Sequence, residues 1–206
     1  MKKIRNEKIG KMKKLLFTLT IALGLTQTTQ AQTTKTIETD IFKIVYSEKY
    51  QQPLSVEYEV QCPNGTASRK GMNFYGVDSV ITSNNADYKN NVWDKGHMAP
   101  AAAFNCNTQL LRETFSYLNC ALQHQGLNRG PWKELESFER DLAKVHSLVL
   151  VIITIHFDDE MGLLPTDARV PTGFTKKIFT GSSDSLVFHF PNSNVAGMDW
   201  LEFQID

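Results

Sequence analysis

The sequence predicts an α+β fold, an antiparallel sheet flanked by helices, and three stretches carry that expectation. Leu54, Val56, Tyr58 and Val60 alternate with Ser55, Glu57 and Glu59, the period of a strand with one buried face. Leu148 to Ile155 is almost wholly apolar and rich in Val and Ile, the signature of a buried strand. Beyond Asn128, the residues Trp132, Leu135, Phe138 and Leu142 recur at helical spacing up to about Val145. Asn128 is a good N-cap type there, and Pro131 suits a first turn.

The remaining elements follow in order. Gln32 to Asp40 is Thr-rich and polar and reads as a loose lead-in, while Ile41 to Tyr46 alternates as a strand. Gly71 to Ala86 is rich in Gly, Ser and Asn and reads as loop. Asp94 to His97 contains Gly96 and is expected to turn. Asn107 can cap a short helix through Glu113, and Phe115 to Leu118 is expected to be a strand ending at Asn119. Leu186 to Phe190 alternates again. There is no internal repeat and no long low-complexity linker.

Residues 1–31 have the three parts of a secretory signal: Lys11, Lys13 and Lys14, an apolar run from Leu15 to Leu25, and Thr29-Gln30-Ala31 as a small-residue cleavage site. The run is shorter than the ~20 residues of a spanning helix. The expectation is therefore a signal peptide over 1–31, a single domain over 32–206, a secreted or periplasmic location, and no membrane association after cleavage.

Removing that segment changes the electrostatics. Of 22 Lys and Arg and 22 Asp and Glu, residues 1–31 hold seven and one, so the remainder carries 15 and 21, a formal −6. An acidic chain argues against tight, static binding to nucleic acid, but less against an enzyme that must release its product. Lys95, Arg129, Lys133, Arg140, Lys176 and Lys177 are the candidates for a local basic groove. With export, Cys62, Cys106 and Cys120 are expected to give one disulfide and one leftover thiol, with all three pairings open.

The chemistry concentrates between Trp93 and Glu136. Asp94-Lys95-Gly96-His97 places an imidazole, a natural general base, in a Gly-containing segment. Asn128 followed by Glu136, eight residues on and close to the same helical face, can hold a hydrated divalent cation. Together these describe a metal-assisted phosphodiester hydrolase. No His-Glu-x-x-His, Cys-x-x-Cys, Gly-x-Ser-x-Gly or Gly-rich phosphate loop offers another chemistry.

The same stretch resembles the DNA/RNA non-specific endonuclease family, the ββα-metal or His-Me finger nucleases, whose motif is Asp-Arg-Gly-His. A second block of that family matches through Asn119, Gln123, Asn128, Trp132, Leu135 and Glu136. Looser likeness runs through Phe104, Glu113-Thr114-Phe115 and Val170 to Lys177. Two departures stand out: Lys95 replaces the family's Arg, and Cys120-Ala121-Leu122 replaces an apolar-x-Pro before the Gln.

The resemblance implies a ββα-metal fold and a secreted endonuclease that hydrolyses DNA and RNA with little sequence specificity, leaving 5′-phosphate and 3′-hydroxyl ends. His97 is the expected general base and Asn128 the one direct ligand of Mg²⁺, or of Mn²⁺ in its place. Glu136 is expected to hold metal-bound water, Asn119 to position the site, and Arg140 and Lys95 to stabilise charge on the phosphate. Asp94 is expected to shape its turn and Trp132 to sit in the core. A non-catalytic binding module of the same fold and a small-nucleotide phosphodiesterase are the alternatives.

Overall fold

The computed structural model describes residues 34–158, 164–181 and 185–205. The signal-peptide expectation lies outside these residues. The described chain runs β1 (Thr34–Glu38), β2 (Lys43–Ser47), β3 (Gln52–Glu59), β4 (Trp93–His97), α1 (Thr108–Glu113), β5 (Cys120–His124), α2 (Gln125–Arg129), α3 (Pro131–Leu142), β6 (Leu150–His156), β7 (Gly173–Phe179), β8 (Ser185–Pro191) and β9 (Gln204–Ile205).

Seven strands form one antiparallel sheet in the order β1-β2-β3-β6-β7-β8-β9, and β4 pairs with β5 in a separate two-stranded ribbon. The alternation read in the sequence now has a cause. Ile44, Tyr46, Val56, Tyr58, Val151, Ile153, Phe174, Ile178, Phe188 and Phe190 are the buried positions of successive strands. Trp132 of α3 joins that layer, its ring centroid 5.4 Å from Phe174 and 5.5 Å from Phe190. Trp132 is core, as its spacing predicted. No helix among the described residues is long and apolar enough to cross a membrane.

Several local expectations need correcting. The lead-in contains a strand, because Thr34–Glu38 finds a partner in β2 that local composition does not reveal. Phe115 to Leu118 is not a strand: Tyr117–Asn119 forms a 3-10 turn, capped where the Ser116 side chain accepts from the Leu118 amide. Asp94 to His97 is not a turn but β4, extended by its pairing with β5. Asn128 does not cap the long helix. It lies inside the short α2, and Gly130 separates that helix from α3, where Pro131 opens the first turn. The helix also stops at Leu142 rather than at Val145.

Candidate active site

His97 closes β4 opposite Cys120 of β5. Two features fix the strand there. A Cβ on Gly96 would stand 2.3 Å from the amide oxygen of Gln123 and 2.6 Å from its Cβ, so only glycine lets these strands approach. Just past His97, the Met98 amide donates to the Asn119 carbonyl at 3.0 Å. The Asn119 side chain then accepts from the Ala99 amide (2.8 Å) and donates to the carbonyls of Ala99 (2.8 Å) and Thr114 (3.0 Å). Asn119 is fully buried and holds the backbone behind His97; it does not reach the cleft.

The imidazole of His97 packs between Phe74 (4.9 Å) and Phe115 (5.0 Å), and its Nε2 has no hydrogen-bond partner. Burial pushes its pKa down to about 4, and the positive charge of Arg69 adds to the effect. At neutral pH the ring is therefore neutral and able to accept a proton.

The facing wall is built by α2 and α3. Asn128 donates from Nδ2 to Asp94 Oδ2 at 2.9 Å, which leaves its amide oxygen available as a ligand. Arg129 grips the same carboxylate with Nε (2.8 Å) and Nη2 (2.6 Å). Burial alone would raise the Asp94 pKa, but these hydrogen bonds and the guanidinium charge hold it below its ordinary value. Asp94 thus ties β4 to α2, a role its position in the sequence does not disclose. On α3, burial raises the Glu136 pKa to about 7 against the pull of Lys176 and Arg140, with Glu139 adding to the rise. The Arg140 guanidinium donates to the Glu136 carbonyl and the Ser137 hydroxyl, both at 2.8 Å, and lines the cleft.

The resulting cleft has a volume of about 1000 Å³. His97, Asn128 and Glu136 line it with Arg69, Lys95, Arg129, Lys133 and Arg140. The cations gather in one groove, although residues 32–206 carry a formal −6, which focuses positive potential there. Two members of the expected groove are absent. Lys176 is wholly buried and paired with Glu139 at 2.7 Å, and Lys177 is exposed on β7 without lining the cleft.

Lys95 is restrained by its neighbours. Its ammonium lies 5.3, 5.7 and 5.5 Å from the ring centroids of Phe74, Tyr88 and Tyr117 and donates to the Asn85 amide oxygen. Asn85 also accepts from the Tyr117 hydroxyl at 2.8 Å. The ammonium is therefore held in an aromatic cage at the cleft margin.

Arg69 is the site residue that sequence reasoning missed. Its loop is bonded to the chain that follows β4: Cys62 and Ala67 donate backbone hydrogen bonds to Ala103 and Asn105, and the disulfide joins Cys62 to Cys106. The only signal was the basic Ser68-Arg69-Lys70 sequence lying between two cysteines. Cys120 keeps a free thiol, buried and 3.2 Å from the Tyr88 hydroxyl; burial pushes it up to about 12, so it is no nucleophile.

Among the described residues, no three His, Cys, Asp or Glu side chains converge as a metal cage. The available donors, the Asn128 amide oxygen and the Glu136 carboxylate, suit a hard cation that keeps most of its water.

Known proteins resemble this chain. The mitochondrial nuclease EXOG of Danio rerio is 36% identical over 91 residues, which is 43% of this chain and 26% of that protein. A nuclease of Serratia marcescens is 30% identical over 123 residues, 54% of this chain and 45% of its own length. The chain thus spans about a quarter to just under half of these relatives. A solved EndoG, crystallised in a complex with EndoGI, superposes with a TM-score of 0.74 at 25% identity, covering 83% of this chain and 80% of that one. This chain belongs to the DNA/RNA non-specific endonuclease family, whose defining pattern matches residues 22–206.

Proposed function

We propose that this protein is a secreted, metal-dependent endonuclease that cleaves DNA and RNA with little regard for sequence. One observation carries the reading: a neutral, half-buried imidazole shares a cleft with Asn128, Glu136 and the cations Arg69, Lys95, Arg129, Lys133 and Arg140. The signal-like residues 1–31 support export.

His97 takes a proton from a water molecule as its oxygen forms a bond to phosphorus. The P–O3′ bond breaks, its electron pair stays on O3′, and that oxygen is protonated by solvent to leave 5′-phosphate and 3′-hydroxyl ends. Asn128 would hold the cation through its amide oxygen, with Glu136 bonding to water around it. When bound, Mg²⁺ or Mn²⁺ supplies a Lewis acid for the phosphate and the leaving oxygen. Arg140 and Arg69 attract and orient the phosphate, and the burial around His97 keeps its base form populated.

Incubating the protein lacking residues 1–31 with supercoiled plasmid, single-stranded RNA and a dinucleotide, with Mg²⁺, Mn²⁺ or EDTA, tests the reading. Nicking of plasmid and RNA that EDTA abolishes is expected. Cleavage of the dinucleotide alone would make it a small-nucleotide phosphodiesterase, and no cleavage with either metal would leave a binding module.

A further inference from the structure

Helix α3 has two faces with different work. Glu136 and Arg140 line the cleft, whereas Trp132, Leu135 and Glu139 turn inward and are buried. Glu139 is a charged residue in an apolar layer. Its Oε1 accepts from the Lys176 ammonium at 2.7 Å, with both side chains at 0% exposure, and its Oε2 accepts from the Tyr58 hydroxyl at 2.6 Å. The same ammonium stands 3.9 Å from the Trp132 ring centroid.

Stability does not explain this network. Taking two charges out of water is costly, and apolar residues of similar volume commonly serve a core as well or better. Direction is what apolar residues lack. Tyr58 comes from β3 and Lys176 from β7, and both close on one carboxylate that lies three residues after Glu136 and one before Arg140. Turning α3 by one residue, about 100°, breaks both bonds and carries Glu136 and Arg140 away from His97.

We propose that Tyr58, Glu139 and Lys176 form a buried positioning unit that fixes the rotation of α3 and aims Glu136 and Arg140 into the cleft. The assignment rests on the nuclease reading of the cleft.

The test is the double variant Lys176→Met/Glu139→Gln, which removes both charges while keeping side-chain length and an acceptor for Tyr58. It should remain folded with a modestly lower melting temperature, because the amide nitrogen introduced at position 139 lacks an acceptor. On a short duplex its kcat should fall about tenfold or more with KM nearly unchanged, since small misplacements of catalytic groups cost that much. A folded double variant with unaltered kcat would overturn the proposal, and so would a change confined to KM. A native protein that cleaves nothing sinks the nuclease reading instead. If the double variant does not fold, Tyr58→Phe removes one bond and keeps both charges. It should lower kcat several-fold at constant KM, and an unchanged kcat would show that the unit does not position α3.

Discussion

On one wall of the cleft His97 lies between Phe74 and Phe115, its pKa pushed down to about 4; on the other, Glu136 projects from α3 with its pKa raised to about 7. A single cause acts on both. Burial disfavours charge, so the imidazole loses its proton more readily and the carboxyl keeps its own. The walls differ in what opposes burial. Around His97 the rings offer no counter-ion and Arg69 repels the cation, whereas Lys176 and Arg140 partly offset the burial of Glu136. The result is a neutral imidazole and a carboxyl of raised pKa lining one cleft.

The largest effect is expected from His97→Ala, which should lower phosphodiester cleavage by about 10²–10⁴-fold because a positioned general base contributes that much. Near-normal cleavage by the folded variant would remove His97 from the mechanism. On the facing wall, Asn128→Ala should raise the Mg²⁺ needed for half-maximal activity by about tenfold or more; an unchanged titration would mean the ligand is misassigned.

Gly96→Ala attacks the His97 wall through packing alone. The added Cβ meets Gln123, whose own Cβ cannot move without shifting β5. A loss of about 1–3 kcal/mol is expected from overpacking, together with a fall in kcat. Chemical denaturation and kinetics check it, and an undisturbed variant would show that the two strands are free to separate.

The Glu136 wall yields a pH signature. Its folded pKa of about 7 lies above the ordinary 4.5, so the folded state binds the proton more tightly than the unfolded one. Stability from this group is complete below about pH 4.5 and is lost as pH rises through 7. Glu136→Gln should therefore stabilise the metal-free protein by about 1–3 kcal/mol at pH 8 and by little at pH 4. His97 runs the other way: its folded pKa of about 4 lies below the ordinary 6.5, so its contribution is complete above 6.5 and is lost as pH falls to 4. Melting curves at both pH values separate the two, and equal Glu136→Gln effects at pH 4 and 8 would contradict the burial account.

The smallest effect is expected at Lys95. With its ammonium among three rings and Asn85, Lys95→Ala should cost about 0.5–1 kcal/mol, the worth of an accessible cation–π contact. If the ammonium reached substrate instead, the same variant would weaken the salt dependence of KM, which the cage predicts to be unaltered.

Periodicity exposed those elements whose signal is local. Leu54 to Val60, Leu148 to Ile155 and the apolar stripe from Trp132 each announced a strand or helix because one face must be buried. The elements around His97 carry no such local signal. Asp94-Lys95-Gly96-His97 has turn composition, and only β5 as a partner makes it a strand; Thr34–Glu38 likewise becomes β1 only against β2. Asn128 has the composition of a cap, and Gly130, which breaks the helix after it, carries no signal of which side the break falls on.

By itself the sequence determined the kinds of group available: an imidazole, an amide and a carboxylate at spacings that ribbon and helix geometry bring to one face, and a surplus of acid outside residues 1–31. Tertiary structure alone decided what each group became. It drew Arg69 to the cleft through a loop bonded to residues 103 to 106, sent Lys176 inward to Glu139, and made Asn119 a backbone clamp rather than a cleft residue. The physical reason is that protonation and reach depend on burial and on partners distant in the chain, and residue spacing does not encode either.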